Sequence, residues 1–458
     1  MKGLSIENIE KCCNGKYVGA KHLCSIEVMS ISTDSREIEK NSLFIPIQGA
    51  RFDGHDAIEE VYEKGAICCL SEKELLNTKI PYILVTSTLQ ALKDIAKFYL
   101  ESLDIKVIGI TGSVGKTSTK EMIASVVSKK FKTLKTQGNF NNEIGLPLTI
   151  FQIQEDHEVA VLEMGISDFG EMHELSRIAQ PDICVITNIG DCHLENLKDR
   201  FGVLKAKTEI FDFMQKDGSI VLNGDDAHLL TVKQVNGITP LFFGVESEQG
   251  IKAINFENKG LKGSTCRIVT MQKELAVQIP IPGYHMLYNA LAAVAVGEIL
   301  GLDADEIKAG IEGLVPVGGR NNIIEAGGIT IIDDCYNANP VSMKASLDVL
   351  AQAEGRKIAI LGDMFELGKH EVQLHQECGQ YAATKGLDLI FCVGELSEFV
   401  YKGILETREA KEAIFHIRKK EDLYSILKDT LKEKDTVLVK ASNGMKFSEV
   451  VNWLVNDL

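Results

Sequence analysis

Gly109-Ile110-Thr111-Gly112-Ser113-Val114-Gly115-Lys116-Thr117 lies between an apolar run, Ile105 to Ile110, and a helix-like segment, Ser118 to Lys129. Strand, glycine-rich turn and helix in that order form a phosphate-binding loop and predict an α/β fold. Glycines at 112 and 115 let successive N–H groups turn toward one anion, which then sits at a helix N-terminus. Lys116 is placed to reach the outer phosphates of a nucleoside triphosphate, and the Thr117 hydroxyl to ligate a magnesium ion that neutralises them. Thr111, Ser113, Val114 and Ser118 complete the predicted nucleotide contacts, with Thr111 and Ser113 offering hydroxyl donors. The longer form of the motif has a glycine at position 110, where this chain has Ile, so the loop is a shortened variant.

A chain of 458 residues exceeds one hydrophobic core and suggests about three domains. With 49 basic against 65 acidic residues the net charge is −16, which argues against a nucleic-acid partner and requires local basic groups for any anionic substrate. The 11 cysteines include no Cys-x-x-Cys, so neither a zinc site nor a disulfide framework is indicated, and a reducing cytoplasm fits best. No run has signal-peptide or membrane-spanning character, so no membrane insertion is expected.

Residues 1–103 mix short strand-like runs (Ser42 to Ile47, Ala66 to Leu70, Tyr82 to Val85) with a helical pattern, Leu89 to Leu103, and read as a small α/β unit. Residues 104–317 alternate apolar strands (Lys106 to Ile110, Val159 to Glu163, Ile183 to Asn188, Ser219 to Asn223) with helices, as a mainly parallel sheet requires. The stretch from about 235 to 282 is more strand-like and precedes an Ala-rich helix, Leu287 to Gly301. Gly318-Gly319 marks a linker. In residues 318–458, strands at Ile329 to Asp333, Lys357 to Leu361, Leu387 to Val393 and Thr436 to Lys440 alternate with helices, in the manner of a Rossmann-like domain, and end in polar clusters.

Glu163 leaves a buried strand of the same sheet as the phosphate loop, where a hard oxygen ligand suits magnesium. His193 leaves another strand, and Asn139-Phe140-Asn141-Asn142 packs three amides into four positions, more turn chemistry than a loop needs. Lys207 by itself reads as a solvated helix lysine.

Taken in order, TGSVGKTS (111–118), NFNNEIGLP (139–147), EMG (163–165), TNIGDCHLE (187–195), AKTEIF (206–211), PGYHMLYNALAA (282–293), GGR (318–320), DDCYNANPVSM (333–343) and LGDMFELG (361–368) resemble the Mur ligase family of ATP-dependent amide-forming enzymes of bacterial wall synthesis. The resemblance spans nearly the whole chain. YNANPVSM and GDMFELG are similar to the members that add D-alanyl-D-alanine to a UDP-N-acetylmuramoyl-tripeptide. Such enzymes phosphorylate a carboxylate with ATP, and an amine displaces the phosphate. The resemblance implies catalytic roles for Lys116, Glu163, His193 and Lys207. It implies two magnesium ions, the first on Thr117, the second held by Glu163 and His193 with Lys207 as a carbamate. It further implies contacts of Asn289, Arg320 and Asp334 with ATP. Ser32, Asp34, Ser35 and Arg36 would meet the UDP group, Asn141 and Asn142 the substrate, and Tyr336, Asn337 and Asn339 the dipeptide or the reacting centre. Arg36 as a surface ion pair fits the residues equally well. A cytoplasmic monomer is expected.

One departure stands out: the family shows Lys-Gly-Ser-Arg near its C-terminus, and this chain reads Lys440-Ala441-Ser442-Asn443. Dipeptide specificity is therefore less fixed than ATP use, and a related ligase with another amine acceptor is the alternative. A nucleotide-dependent switch protein is a more distant one, since it has no need of Glu163, His193 and Lys207 together.

Overall fold

The computed structural model describes residues 1–49, 52–76, 78–247, 250–407 and 413–457, which form three sheets. The phosphate-loop strand, Lys106–Thr111, is interior to a nine-stranded sheet. Beside it lie Val159–Glu163 and then Thr133–Lys135 on one side, and Ile183–Ile186, Ser219–Asn223, Leu241–Gly244 and Ile251–Asn258 on the other, all parallel. An antiparallel pair, Ser264–Val269 and Glu274–Ile279, completes that edge and accounts for the strand-like stretch read from 235 to 282. Alternate residues serve opposite faces, as the two-residue period dictates. Ile108 and Ile110 pack with Met122, Ile123 and Val126 of the loop helix Lys116–Val127 and with Leu287, Leu291 and Val294 of the helix His285–Ile299.

The opposite face has a different partner. Val107, Ala160, Leu162 and Ile186 share one core with Leu92, Ile95 and Tyr99 of the helix Thr88–Glu101, and through it with Leu4, Ile6 and Leu43. The first unit is thus welded to the central one without a solvent gap. Its own sheet runs in the order Lys16–Val18, Tyr82–Leu84, Cys68–Ser71, Leu43–Phe44, Ile31–Ser32. The run read from Ser42 to Ile47 is laddered only at Leu43–Phe44, and Pro46 just beyond has no N–H to offer a neighbour.

The third sheet runs Asn322–Ala326, Ile329–Asp333, Thr436–Lys440, Lys357–Gly362, Leu389–Val393, Ile414–Ile417, parallel except for the first pair. Two separate cores cover its faces: Met343, Leu347 and Val400 with Ala359 and Leu361 on one side, and Leu423, Leu427 and Val450 with Ile358 and Ile360 on the other. It is therefore a doubly wound layer, with its last strand inserted next to Ile329–Asp333 rather than added at an edge. At the linker, Gly319 has φ +76° and donates its N–H to Asp333 Oδ2 at 2.7 Å, and a Cβ there would stand 3.0 Å from that of Tyr336. Only glycine allows that approach.

Candidate active site

A cavity of about 850 Å³ opens where the carboxyl ends of the central strands face the third sheet, and the phosphate loop forms one wall. Register explains what meets there: Glu163 is paired with Ile110 and Thr187 follows the strand beside Thr111, so three loops emerge side by side.

The loop is clamped by its neighbour. Asn188 accepts from Ser113 N through its carbonyl at 3.0 Å and from Val114 N through Oδ1 at 3.1 Å, while Thr187 Oγ1 and Asn188 Nδ2 donate to Val114 O at 2.7 and 2.9 Å. A Cβ on Gly112 would come within 1.9 Å of Thr187 Oγ1, so the close approach needs glycine. Ser113 Oγ accepts from Gly190 N at 2.8 Å and from Cys192 Sγ at 3.2 Å, and the Thr111 hydroxyl is buried without a partner. The expectation that the loop offers N–H groups from 112 onward is thereby narrowed. Those of Ser113 and Val114 are spent on Asn188, and the free set at the helix start belongs to Gly115, Lys116, Thr117 and Ser118, which have no hydrogen-bond acceptor among the described residues. Thr187 and Asn188, inside a motif quoted from the sequence, were given no role there; an amide directly after a buried strand was the available signal.

Lys116 Nζ donates to Gly112 O at 2.9 Å. Thr117 Oγ1 accepts from Arg320 Nη2 at 3.1 Å, and the Arg320 guanidinium lies 4.1 Å from the centre of the Tyr336 ring, a cation–π contact that orients it. Asn289 lines the cavity, with Oδ1 accepting from Thr119 Oγ1 at 2.9 Å.

Glu163 is 3 % exposed. Its Oε1 accepts from Asn141 Nδ2 at 2.8 Å, and its Oε2 is buried with no partner. A buried, half-satisfied carboxylate is costly unless a ligand completes it. Lys207 is 1 % exposed and makes no ion pair or hydrogen bond among the described residues. Burial, then the nearby Lys116 ammonium, push its pKa down to about 7, against a smaller raising effect of Cys192. The reading of Lys207 as a solvated lysine is corrected: the helix Arg200–Thr208 turns this residue inward. His193, at φ +50°, is held below its ordinary pKa by burial and then by Lys207 and Lys116, so these three side chains share one neighbourhood. His193 and Lys207 do not themselves line the cavity wall.

Other residues have local roles. Asp334 accepts from Lys440 Nζ at 2.5 Å, from Ser346 Oγ and from Asn321 N, so its carboxylate is fully engaged at the cavity edge. Asn339 caps the helix Pro340–Ala351 with Ser342 in a reciprocal pair of hydrogen bonds, and Asn142 Oδ1 accepts from Gly145 N at the start of Gly145–Ile150. Both were read as substrate-facing; turn and cap chemistry uses the same residue type. Asn339 still borders the cavity, as do Tyr336 and Asn337, whereas Asn142 does not. Asn337 Oδ1 accepts from Ala338 N at 2.9 Å. Ser32, Asp34, Ser35 and Arg36 lie outside this cavity. Arg36, with a side chain 84 % exposed, is ion-paired to Asp34 and holds that carboxyl at about 2, while Ser32 Oγ donates to Asp34 O at 3.0 Å. Ser35 O accepts from Lys64 Nζ at 2.8 Å.

A phosphate loop facing a second α/β layer across a cavity defines a nucleotide-dependent enzyme that works between two domains. The models "Mur ligase family, catalytic domain", "Mur ligase middle domain" and "Mur ligase, glutamate ligase domain" match residues 27–100, 110–297 and 319–443. The chain belongs to the Mur ligase family. It is 38 % identical, over 98 % of both chains, to the UDP-N-acetylmuramoyl-tripeptide--D-alanyl-D-alanine ligase of Bacillus subtilis. Among solved structures, MurF from Acinetobacter baumannii matches with a TM-score of 0.90 at 29 % identity over 98 % of each chain. MurF from Thermotoga maritima in complex with ADP matches with a TM-score of 0.82 at 29 % identity over 93 % of this chain and 96 % of that one. Among the described residues no helix is long and apolar enough to cross a membrane.

Proposed function

We propose that this enzyme joins D-alanyl-D-alanine to the free carboxylate of UDP-N-acetylmuramoyl-tripeptide, with ATP converted to ADP and phosphate. The peptide half of this reading rests on similarity along the full chain to ligases of that name. The observation that carries the chemical half is the buried Glu163 carboxylate, with one oxygen unsatisfied, in register beside the phosphate loop.

Thr117 would hold one magnesium ion, and Glu163 and His193 a second, supported by a carbamoylated Lys207. Hard oxygen ligands of this kind suit magnesium, which is completed by substrate phosphates and water. When bound, the ion supplies positive charge where phosphoryl transfer concentrates negative charge. Lys116 and the free N–H groups from Gly115 to Ser118 face that same charge. The substrate carboxylate oxygen takes the γ-phosphoryl group and ADP leaves. The acceptor nitrogen then bonds to the acyl carbon, the carbon–oxygen bond to phosphate breaks with its electron pair, and the nitrogen loses a proton. Buried Lys207, held near neutrality, presents a free amine to carbon dioxide: the nitrogen bonds to carbon, a proton leaves, and a cation becomes an anionic ligand.

Incubating the enzyme with ATP, magnesium and tripeptides ending in lysine or in diaminopimelate, with and without D-alanyl-D-alanine, and weighing the products tests the reading. ADP release that ignores the tripeptide, or an acceptor other than the dipeptide, would refute it.

A further inference from the structure

Among the described residues, one histidine–carboxylate contact joins the central unit to the third: His193 Nδ1 and Glu366 Oε2, 4.0 Å apart. That distance is too long for a hydrogen bond. Glu366 sits on the loop after the strand Lys357–Gly362, and two buried groups fix its base. Met364 N donates to His375 Nε2 at 2.9 Å, and Phe365 N to Ser442 Oγ at 2.9 Å. From these anchors the chain turns through Glu366 at φ +63°, a left-handed conformation a glutamate adopts only under constraint, and the side chain reaches back toward His193 while remaining 78 % exposed. His193 faces it at φ +50°. Strained non-glycine backbone on both sides of a cleft is the kind of cost retained at working positions.

The acceptor enters this cleft as an ammonium, in the neighbourhood of Lys116 and Lys207, and needs a carboxylate to receive it. The acids lining the cavity are committed. Glu121 is paired with Lys120 and Lys135, Asp191 with Arg200, Asp334 with Lys440, and Asp348 with Lys385. Glu163 is buried on Asn141 and toward the phosphates. Nearby on the third unit, Asp363 accepts from Ser397 N and Ser397 Oγ at 2.7 and 2.6 Å. Glu366, outside the cavity wall and 4.0 Å from His193, combines exposure with the lack of any hydrogen bond among the described residues. Resting on the function proposed above, we infer that Glu366 receives the ammonium of the incoming dipeptide and holds its nitrogen toward the activated carbonyl, which that nitrogen attacks once it has given up one proton to solvent.

The test compares the full-length enzyme with Glu366→Gln, Glu366→Ala and Glu366→Asp, each with ATP, magnesium and the tripeptide. Two nucleophiles are supplied: D-alanyl-D-alanine, and hydroxylamine, a small neutral nucleophile that traps the activated carboxylate as a hydroxamate. The Gln and Ala variants should raise the KM for the dipeptide at least about tenfold, the loss of one charge-assisted hydrogen bond, with hydroxamate formation within about twofold of wild type. The Asp variant should recover part of the dipeptide KM. An unchanged dipeptide KM overturns the proposal, as does a parallel loss of hydroxamate, which would place Glu366 in the first step. A wild-type enzyme that forms hydroxamate but no dipeptide adduct overturns the functional reading instead.

Discussion

Lys207 shows how far environment can alter a side chain. Its sequence setting, Ala-Lys-Thr-Glu, is that of an ordinary surface helix, yet the ammonium is buried without a counter-ion and its pKa falls to about 7. Replacing it by Ala should abolish ligation while leaving nucleotide binding within about threefold, and millimolar short-chain carboxylic acids should restore part of the rate. Full activity in Lys207→Ala, followed as phosphate release, would remove it from the site. The phosphate loop was readable from spacing alone because glycines and the following lysine answer to backbone geometry. The clamp by Thr187 and Asn188 was not, because strand register brings together residues 73 and 74 positions apart. The capping roles of Asn142 and Asn339 were not legible for the opposite reason: amides that cap helices and amides that bind substrate look alike in a sequence.

At the scale of elements, the loop after Lys357–Gly362 depends on one imidazole. His375 is fully buried, accepts from Met364 N through Nε2, and donates through Nδ1 to Glu371 O at 2.7 Å, an arrangement open only to the neutral ring. Burial holds its pKa below the ordinary value. The folded state therefore resists protonation while the unfolded chain takes up its proton near pH 6.5, so this contribution is intact above about pH 6.5 and is lost as the solution becomes more acidic. Stability measured by denaturant titration should fall below that pH, with His375 contributing at most about 1.4 kcal/mol per pH unit, and His375→Gln should show a shallower decline. An identical slope in the variant would discount the imidazole. Periodicity predicted the strands here well, but the buried histidine sits within a helix of no unusual pattern, Glu371–Ala383, and only tertiary packing reveals it.

For the molecule as a whole, the three units are unequal in how they are joined. The first shares a continuous core with the central sheet through Leu92, Ile95 and Tyr99, reinforced by the nearly buried Lys93 bonded to Glu143 at 2.6 Å. The third encloses its own two cores and meets the rest through fewer contacts, Leu261 packed on one core, Arg320 with Thr117 and Asn321 with His285 among them. Residues 1–103 expressed alone should therefore stay unfolded, exposing the face of Thr88–Glu101, whereas residues 318–458 alone should melt cooperatively. Far-UV circular dichroism with thermal scans would show it, and a cooperative transition in the 1–103 fragment would contradict the weld. Sequence patterning held no sign of which boundary is packed and which is open, because that depends on which helix faces are left apolar and against what.

The open boundary at Gly318-Gly319 has a consequence for descent. A genetic exchange that cuts the chain there keeps the buried cores of the third unit on one side, with Glu366 and its anchors, and the phosphate loop on the other. Lineages could thus inherit a new amine acceptor as a single cassette, with activation of the carboxylate passed on unaltered.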